Sequence, residues 1–459
     1  MTKLSLMKDV ISYITVIILA TLHTTAQSQV RDSDSIMVKR LNDYLVSANS
    51  AYRFNGSAMI LYHGRILLSK GYGFSNIASK SVNTTETRFP ILSMTKTFTS
   101  TVILKLEEEG KLSVNDNLSK YLPDYPNGSK IKIRHLLTHS SGIYDYTGNV
   151  GIEDSLIVNN PIAKEKVISH FKDKPLDFPP GKYYSYSNSG YFLLGLIIEK
   201  VTAQPYETVV REMIFRPLDM TQSGFDFINL PREVKAQGYE LWTEDKVIPY
   251  KHYDSTYAYS AGSIYSTIAD LDKWAEAISS RRILKPETWK EAFDKKINNY
   301  GYGWQTGIFV GKKYVKHSGG YPGFMSEFIY YPDEDLTVIL LNNFGTYDQN
   351  IWSVGMGLSC IAFQLPYDNW KLRPKITLDE RMLEKRVGTY EMSFKNQKSK
   401  IGIKLKDSNL YLDIDGMELS LYAENENTFF LEYFNAQLVF EKDKIIFHSH
   451  GQDGELKKK

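Results

Sequence analysis

At 459 residues, 42% hydrophobic and 24% charged, the chain has the balance of a folded globular protein. It is too long for one small core, so one large domain and a smaller one are expected. Its 55 basic and 53 acidic side chains leave a net charge of +2, with no basic excess to neutralise a phosphate backbone, which excludes nucleic acid as a partner.

Residues 1–26 read as a secretory signal peptide. Lys3 and Lys8 supply the positive start, Val10–Leu22 the apolar run, and Thr24 and Ala26 the small residues before a cleavage site. The run is shorter than the roughly 20 residues that span hydrocarbon. An exported protein is therefore expected, periplasmic or secreted, with no stable membrane span after signal cleavage. The single cysteine, Cys360, allows no internal disulfide and reads as a small buried apolar residue.

Ser35–Ala48 has helical periodicity, with Ile36, Leu41, Tyr44, Leu45 and Ala48 on one side. Ser57–Tyr62 and Arg65–Lys70 alternate like strands around His63-Gly64, a hairpin signal. A helix is expected from about Ser93 to Gly110, burying Phe98, Val102, Ile103 and Leu106. After Pro179-Pro180-Gly181 comes Tyr186-Ser187-Asn188, then a buried helix over Tyr191–Val201. Lys312–His317, Met325–Tyr331 and Leu336–Asn342 are strand-like. Strands at both ends with helices between imply an α+β fold: an antiparallel sheet joined by both ends of the domain, flanked by helices, with a helical subdomain. Lys371–Glu384 suits an exposed connection. Beyond Gly388 short alternating runs, including Ile401–Leu405, Leu410–Ile414 and Gln437–Phe440, indicate a small all-β domain over 385–459. The catalytic domain is then expected over 27–375.

Three elements could carry chemistry. In Ser93-Met94-Thr95-Lys96, residues three apart on a helix share a face. A serine hydroxyl needs a neighbouring base, and a lysine becomes one when it is partly desolvated near other cations. A helix N-terminus there also favours a developing oxyanion. In Tyr186-Ser187-Asn188, residues i and i+2 of an extended segment point the same way. The Tyr186 hydroxyl could relay protons and the Asn188 amide could hold Lys96 and a substrate carbonyl. In His317-Ser318-Gly319-Gly320, glycines after a strand let a substrate approach the backbone, and His317 could bind a carboxylate or tune proton transfer.

In this order the three elements resemble the family of class C β-lactamases, D-alanyl-D-alanine carboxypeptidases, D-aminopeptidases and related esterases, penicillin-binding proteins among them. The segments Phe89–Leu92, Ile133–Gly142, Tyr186–Tyr191 and Ala261–Thr267 resemble family segments too, so the likeness covers about 35–350. It implies a β-lactamase/DD-peptidase-like fold in which Ser93 forms an acyl-enzyme. Lys96 and Tyr186 would share the acid–base work, Asn188 would position Lys96 and the substrate amide, and the backbone N–H groups of Ser93 and Gly320 would form the oxyanion hole. Ser318 and Gly319 would line the substrate, and no metal or organic cofactor is implied. Class C enzymes carry Lys where this chain has His317, which implies weak β-lactamase activity.

The expected substrate is a small molecule or peptide, with cell-wall peptides, peptidoglycan fragments and other D-amino-acid-containing chains first. A carboxylesterase or weak class C-like β-lactamase is the second reading. A catalytically slow penicillin-binding sensor or surface protein is the third. No Gly-x-Ser-x-Gly elbow, phosphate-binding loop or His-Glu-x-x-His motif is present. His448 and His450 on an alternating strand read as surface residues rather than metal ligands.

Overall fold

The computed structural model describes residues 30–148, 160–243, 246–250, 254–345, 351–394, 397–414, 416–442, 444–449 and 451–458. The expected signal peptide and His450 lie outside these residues. In chain order the described part starts with helix α1 (Val30–Ser50). Its buried stripe is Met37, Leu41, Tyr44, Leu45 and Ala48. Ile36 was expected on that stripe but is 51% exposed, because the helical period carries it off the line on which Met37 falls.

Strands β1 (Gly56–Tyr62) and β2 (Arg65–Tyr72) follow. His63 and Gly64 between them both have positive φ, at 50° and 68°, the backbone sense that matches the twist of a two-residue hairpin. Helices α2 (Thr95–Glu108), α3 (Asn188–Thr202) and α4 (Ile268–Ser279) come next. Strands β3 (Gln305–Phe309), β4 (Lys312–Tyr321), β5 (Phe324–Tyr331) and β6 (Leu336–Asn342) complete the sheet.

The strand order is β2-β1-β6-β5-β4-β3. β1 runs antiparallel to β6 from Gly56↔Asn342 to Tyr62↔Leu336, so the two ends of the sheet's sequence meet at its centre, as expected. β1 and β6 are buried along almost their whole length, which explains their unbroken apolar runs Ala58–Leu61 and Val338–Leu341. β3 carried no strand signal because it is a short edge strand with Gly307 in it and Ile308 exposed. Phe98, Val102, Ile103 and Leu106 of α2 are fully buried, and Phe98 stacks on Trp274 of α4 at 4.4 Å. α4 in turn packs against β1 and β6.

The described residues form two compact units, one within 55–307 and 314–346, the other within 30–54, 308–313 and 347–459. The expected domain boundary near 375–385 falls inside the second unit. That unit pairs α1 with helix α5 (Ile351–Ala362): Tyr44 Oη lies 3.5 Å from Ser353 O and accepts from Trp370 Nε1 at 2.9 Å. Cys360 is buried in α5, which pushes its thiol pKa up to about 12, as suits a packing residue.

The same unit holds a closed eight-stranded antiparallel barrel, from β7 (Gly388–Phe394) to β14 (Gln452–Lys458). Closure is made by Tyr390↔Lys458, Glu391↔Lys457 and Met392↔Leu456. The alternating residues Ile401, Ile403, Leu410, Leu412, Ile414, Phe447 and Leu456 fill its interior, as the small bore of eight strands requires. On its surface His448 is held between Asp368 at 3.2 Å and Asp453 at 2.6 Å.

Candidate active site

Ser93 sits on a single 3-10 turn, Leu92–Met94, that leads directly into α2. Three features shape that turn. Ile91 donates its N–H to Ile264 O at 2.9 Å, and Ser326 Oγ donates to Ile91 O at 2.7 Å. Leu92, buried, takes a left-handed φ of 53°, which turns the chain sharply just before the nucleophile candidate. Gly319 of β4 then closes against it: a Cβ there would stand 2.3 Å from Ile91 O and 2.8 Å from Leu92 Cβ. Gly319 was expected to make room for substrate. It makes room for this turn instead. Gly320 itself is exposed, with nothing within 4 Å of a Cβ built on it.

Lys96, the second residue of α2, is fully buried. Its Nζ donates to Ser93 Oγ at 3.0 Å, to Asn188 Oδ1 at 2.7 Å and to Ala261 O at 2.7 Å. Burial lowers its pKa to about 7. Desolvation was expected to do this together with nearby cations; the charge that acts on it is instead a carboxylate, Asp145, which works in the opposite sense. Ser93 and Asn188 keep partial exposure. The site therefore joins a buried basic group to a reachable hydroxyl.

The Tyr186 hydroxyl is hydrogen-bonded to Ser93, and the Tyr186 ring lies 4.9 Å from Lys96 Nζ. Burial holds the phenol protonated, well above its usual range. Ser187 is extended and caps α3 through Gly190 N–H, and Asn188 is the first residue of that helix. Tyr186 and Asn188 thus reach the same lysine, as the i, i+2 spacing implied.

His139 is a residue to which the sequence reading assigned no role, though its segment stood out. Its carbonyl accepts Ser185 N–H at 2.9 Å and its Nδ1 accepts Ser187 N–H at 3.1 Å, gripping the backbone on both sides of Tyr186. Its ring lies 4.2 Å from that of Tyr186, with Tyr184, Tyr191 and Tyr300 also around it. Ala261, likewise inside a segment that stood out, acts through its carbonyl, which no side-chain pattern signals. Asp145 and Thr147 were missed entirely.

His317 lies close to Tyr186, at 6.5 Å between ring centroids, but is only 1% exposed. Its Nδ1 lies 2.8 Å from Ser318 O and its Nε2 2.9 Å from Tyr300 Oη. A carbonyl only accepts, so Nδ1 carries the proton and Nε2 takes the Tyr300 hydrogen. This corrects the expectation that His317 offers a hydrogen bond to a substrate carboxylate: both ring nitrogens are engaged inside the fold. Ser318 is half-buried, and its Oγ accepts from Lys316 Nζ at 3.1 Å, which also pairs with buried Glu327 at 3.1 Å.

Residues 41–350 match the β-lactamase family. The chain belongs to that family. Among its relatives, penicillin-binding protein 4* of Bacillus subtilis is 28% identical over 428 residues, covering 88% of this chain and 93% of that protein. Protein flp of Staphylococcus aureus is 31% identical over 304 residues, 62% of this chain and 59% of that protein. An octameric penicillin-binding protein homologue from Pyrococcus abyssi superposes with a TM-score of 0.63 at 25% identity, covering 94% of this chain and all of that one. A D-amino acid amidase from Ochrobactrum anthropi shares the fold, with a TM-score of 0.63 at 23% identity over 71% of this chain and 97% of that one. The β-lactamase family and these penicillin-binding relatives point to a serine hydrolase acting on small molecules or peptides.

Proposed function

We propose that this β-lactamase-family protein hydrolyses an amide or ester through an acyl-Ser93 intermediate, on a cell-wall or other D-amino-acid-containing peptide. The observation that carries the reading is the arrangement around Lys96. Asn188 Oδ1 and Ala261 O accept hydrogen bonds and donate none. A neutral Lys96 therefore commits its two N–H groups to them and aims its lone pair at the remaining neighbour, Ser93 Oγ. That is the geometry of a general base beside a nucleophile.

In the step so arranged, Ser93 Oγ bonds to the substrate carbonyl carbon while its proton passes to Lys96 Nζ. The carbonyl oxygen gains the negative charge and faces the N–H groups of Ser93 and Gly320. Collapse breaks the bond to the leaving amine or alcohol, which takes a proton delivered through Tyr186. Water then cleaves the acyl ester by the reverse proton path. Export by residues 1–26 is part of the same proposal and fits a substrate outside the cytoplasm.

The penicillin-binding relatives and the amidase-like fold support a peptide or amide substrate. The test is mass spectrometry of the protein after incubation with penicillin, a fluorophosphonate and D-Ala-D-Ala peptides. An adduct on Ser93, absent from Ser93→Ala, is the expected result. Labelling at another residue, or equal turnover by Ser93→Ala, defeats the assignment.

A further inference from the structure

We propose that Asp145 and Thr147 are positioning residues that decide which end of the Asn188 amide meets Lys96. The proposal rests on the reading of Ser93 as nucleophile and Lys96 as its base, and concerns two residues outside every motif recognised in the sequence.

The segment 143–147 is docked on the start of α3. Ser187 Oγ donates to Ile143 O at 3.3 Å, Ser189 Oγ donates to Tyr144 O at 2.7 Å, and Tyr146 N–H donates to Ser189 Oγ at 3.1 Å. This docking sets the Asp145 carboxylate at the first turn of α3, where its Oδ1 accepts the Asn188 backbone N–H at 3.1 Å. Its Oδ2 accepts the Thr147 hydroxyl at 2.9 Å. The exposed N–H groups of a helix start favour a carboxylate in that place.

The direction of every following bond is then determined. An ionised carboxylate accepts only, so the Thr147 proton is committed to Asp145. The Thr147 oxygen is left to accept, and does so from Asn188 Nδ2 at 2.8 Å. The other end of the amide, Oδ1, is what remains for Lys96, at 2.7 Å. Turned over, the amide would present N–H groups to the lysine ammonium and to the Thr147 hydroxyl an oxygen it has no proton to satisfy. Asp145 sets a one-way chain through Thr147 and Asn188, and the chain ends on the group that must accept the Ser93 proton.

The carboxylate has a second effect. The titratable groups placed against Lys96 are Asp145, the Tyr186 phenol and the Tyr191 phenol, the last two with rings 4.9 and 5.5 Å from Nζ. Burial keeps both phenols protonated, while Asp145 favours the charged lysine and so opposes the effect of burial. Removing its charge makes Lys96 release its proton more readily. Thr147 carries no charge and affects direction alone. The two residues are therefore separable.

The experiment follows the rate at which a fluorophosphonate phosphonylates Ser93 in the full chain, between about pH 5 and pH 9. In that reaction Oγ bonds to phosphorus, fluoride leaves and the Oγ proton goes to Lys96. Thr147→Val, which keeps the shape and loses the hydroxyl, should slow labelling by roughly 10- to 100-fold with the acid limb unmoved. Thr147→Ser should recover most of that loss. Asp145→Asn should slow labelling and also move the acid limb to lower pH, an effect that misplacement alone does not produce. Thermal melting reports whether each variant is folded. If Thr147→Val does not fold, Thr147→Ser and Asp145→Asn decide. Labelling of Thr147→Val within about twofold of the parent, failure of Thr147→Ser to recover the rate, or an unmoved limb in Asp145→Asn overturns the proposal. A parent protein that gains no Ser93 adduct, or a Ser93→Ala variant labelled as fast, instead overturns the nucleophile reading beneath it.

Discussion

A side chain on Gly319 would place its Cβ 2.3 Å from the carbonyl oxygen of Ile91. The strand that carries His317 to Gly320 and the turn that presents Ser93 are thus in backbone contact, and the absence of one methyl group at Gly319 sets the spacing between strand and turn. The clash is with backbone on a turn already anchored by Ile264 and Ser326, so it has no easy relief.

Gly319→Ala is therefore expected to cost about 1–3 kcal/mol of stability and to reduce acylation of Ser93 by more than the stability loss explains. Gly320→Ala, with open space around the added Cβ, should leave the melting temperature near that of the parent. Differential scanning calorimetry of both variants checks the contrast. Equal losses in the two would mean that the close approach at Gly319 is not what holds this part of the sheet.

The pH dependence of kcat/KM should show an acid limb centred near 7, because Lys96 must be neutral to accept the Ser93 proton and burial lowers its pKa to about 7. Activity rises through that value as pH increases. Stability should rise over the same direction: an unfolded lysine holds its proton up to about pH 10.4, so above 7 the unfolded chain binds the extra proton and raising the pH favours the fold. An acid limb at pH 9 or above, roughly, would show that Lys96 keeps its proton and that another group is the base.

Lys96→Ala and Tyr186→Phe should each slow acylation strongly, and the double variant should be little worse than Lys96→Ala. The Tyr186 phenol and the lysine meet at one oxygen, Ser93 Oγ, and move one proton between them. Single-turnover acylation of the four proteins measures the coupling. Fully additive losses would separate their roles.

His317→Lys is expected to destabilise the protein rather than to create a carboxylate site. The ring is 1% exposed and held by Tyr300 and Ser318, so an ammonium in its place loses its hydration against a phenol oxygen and a carbonyl, with no carboxylate in either contact. A lower melting temperature with no gain in nitrocefin turnover relative to a D-amino-acid amide is the expected outcome. A stable variant with raised β-lactam preference would show that the side chain reaches the substrate after all.

Ser93, Lys96, Tyr186 and Asn188 were legible in the sequence because the contacts among them are made by side chains, at spacings of three around a helix start and two in an extended segment. What escaped notice acts otherwise. Ala261 serves through a carbonyl, His139 through a carbonyl and one ring nitrogen, and Thr147 is an ordinary residue whose importance comes only from standing between Asp145 and Asn188. His317 was identified by type but not by depth, and depth decides whether an imidazole meets solvent or stays sealed. In the fold, the central strands β1 and β6 announced themselves by continuous apolar runs and the edge strand β3 did not. The small β domain was visible as alternation, while its closure was not, since the pairing of Tyr390 with Lys458 leaves no mark on either segment.

The register that joins Gly56 to Asn342, and the one that joins Tyr390 to Lys458, have a consequence in time. Each makes the first strand of its sheet wait for the last. While the chain is being synthesised, β1 lacks one neighbour until residues 336–342 emerge, and the barrel remains an open sheet until residues 456–458 have been added. A chain that must be threaded through a membrane N-terminus first, as proposed for this one, benefits from such an arrangement, because each sheet stays incomplete until its own last strand has followed its first across.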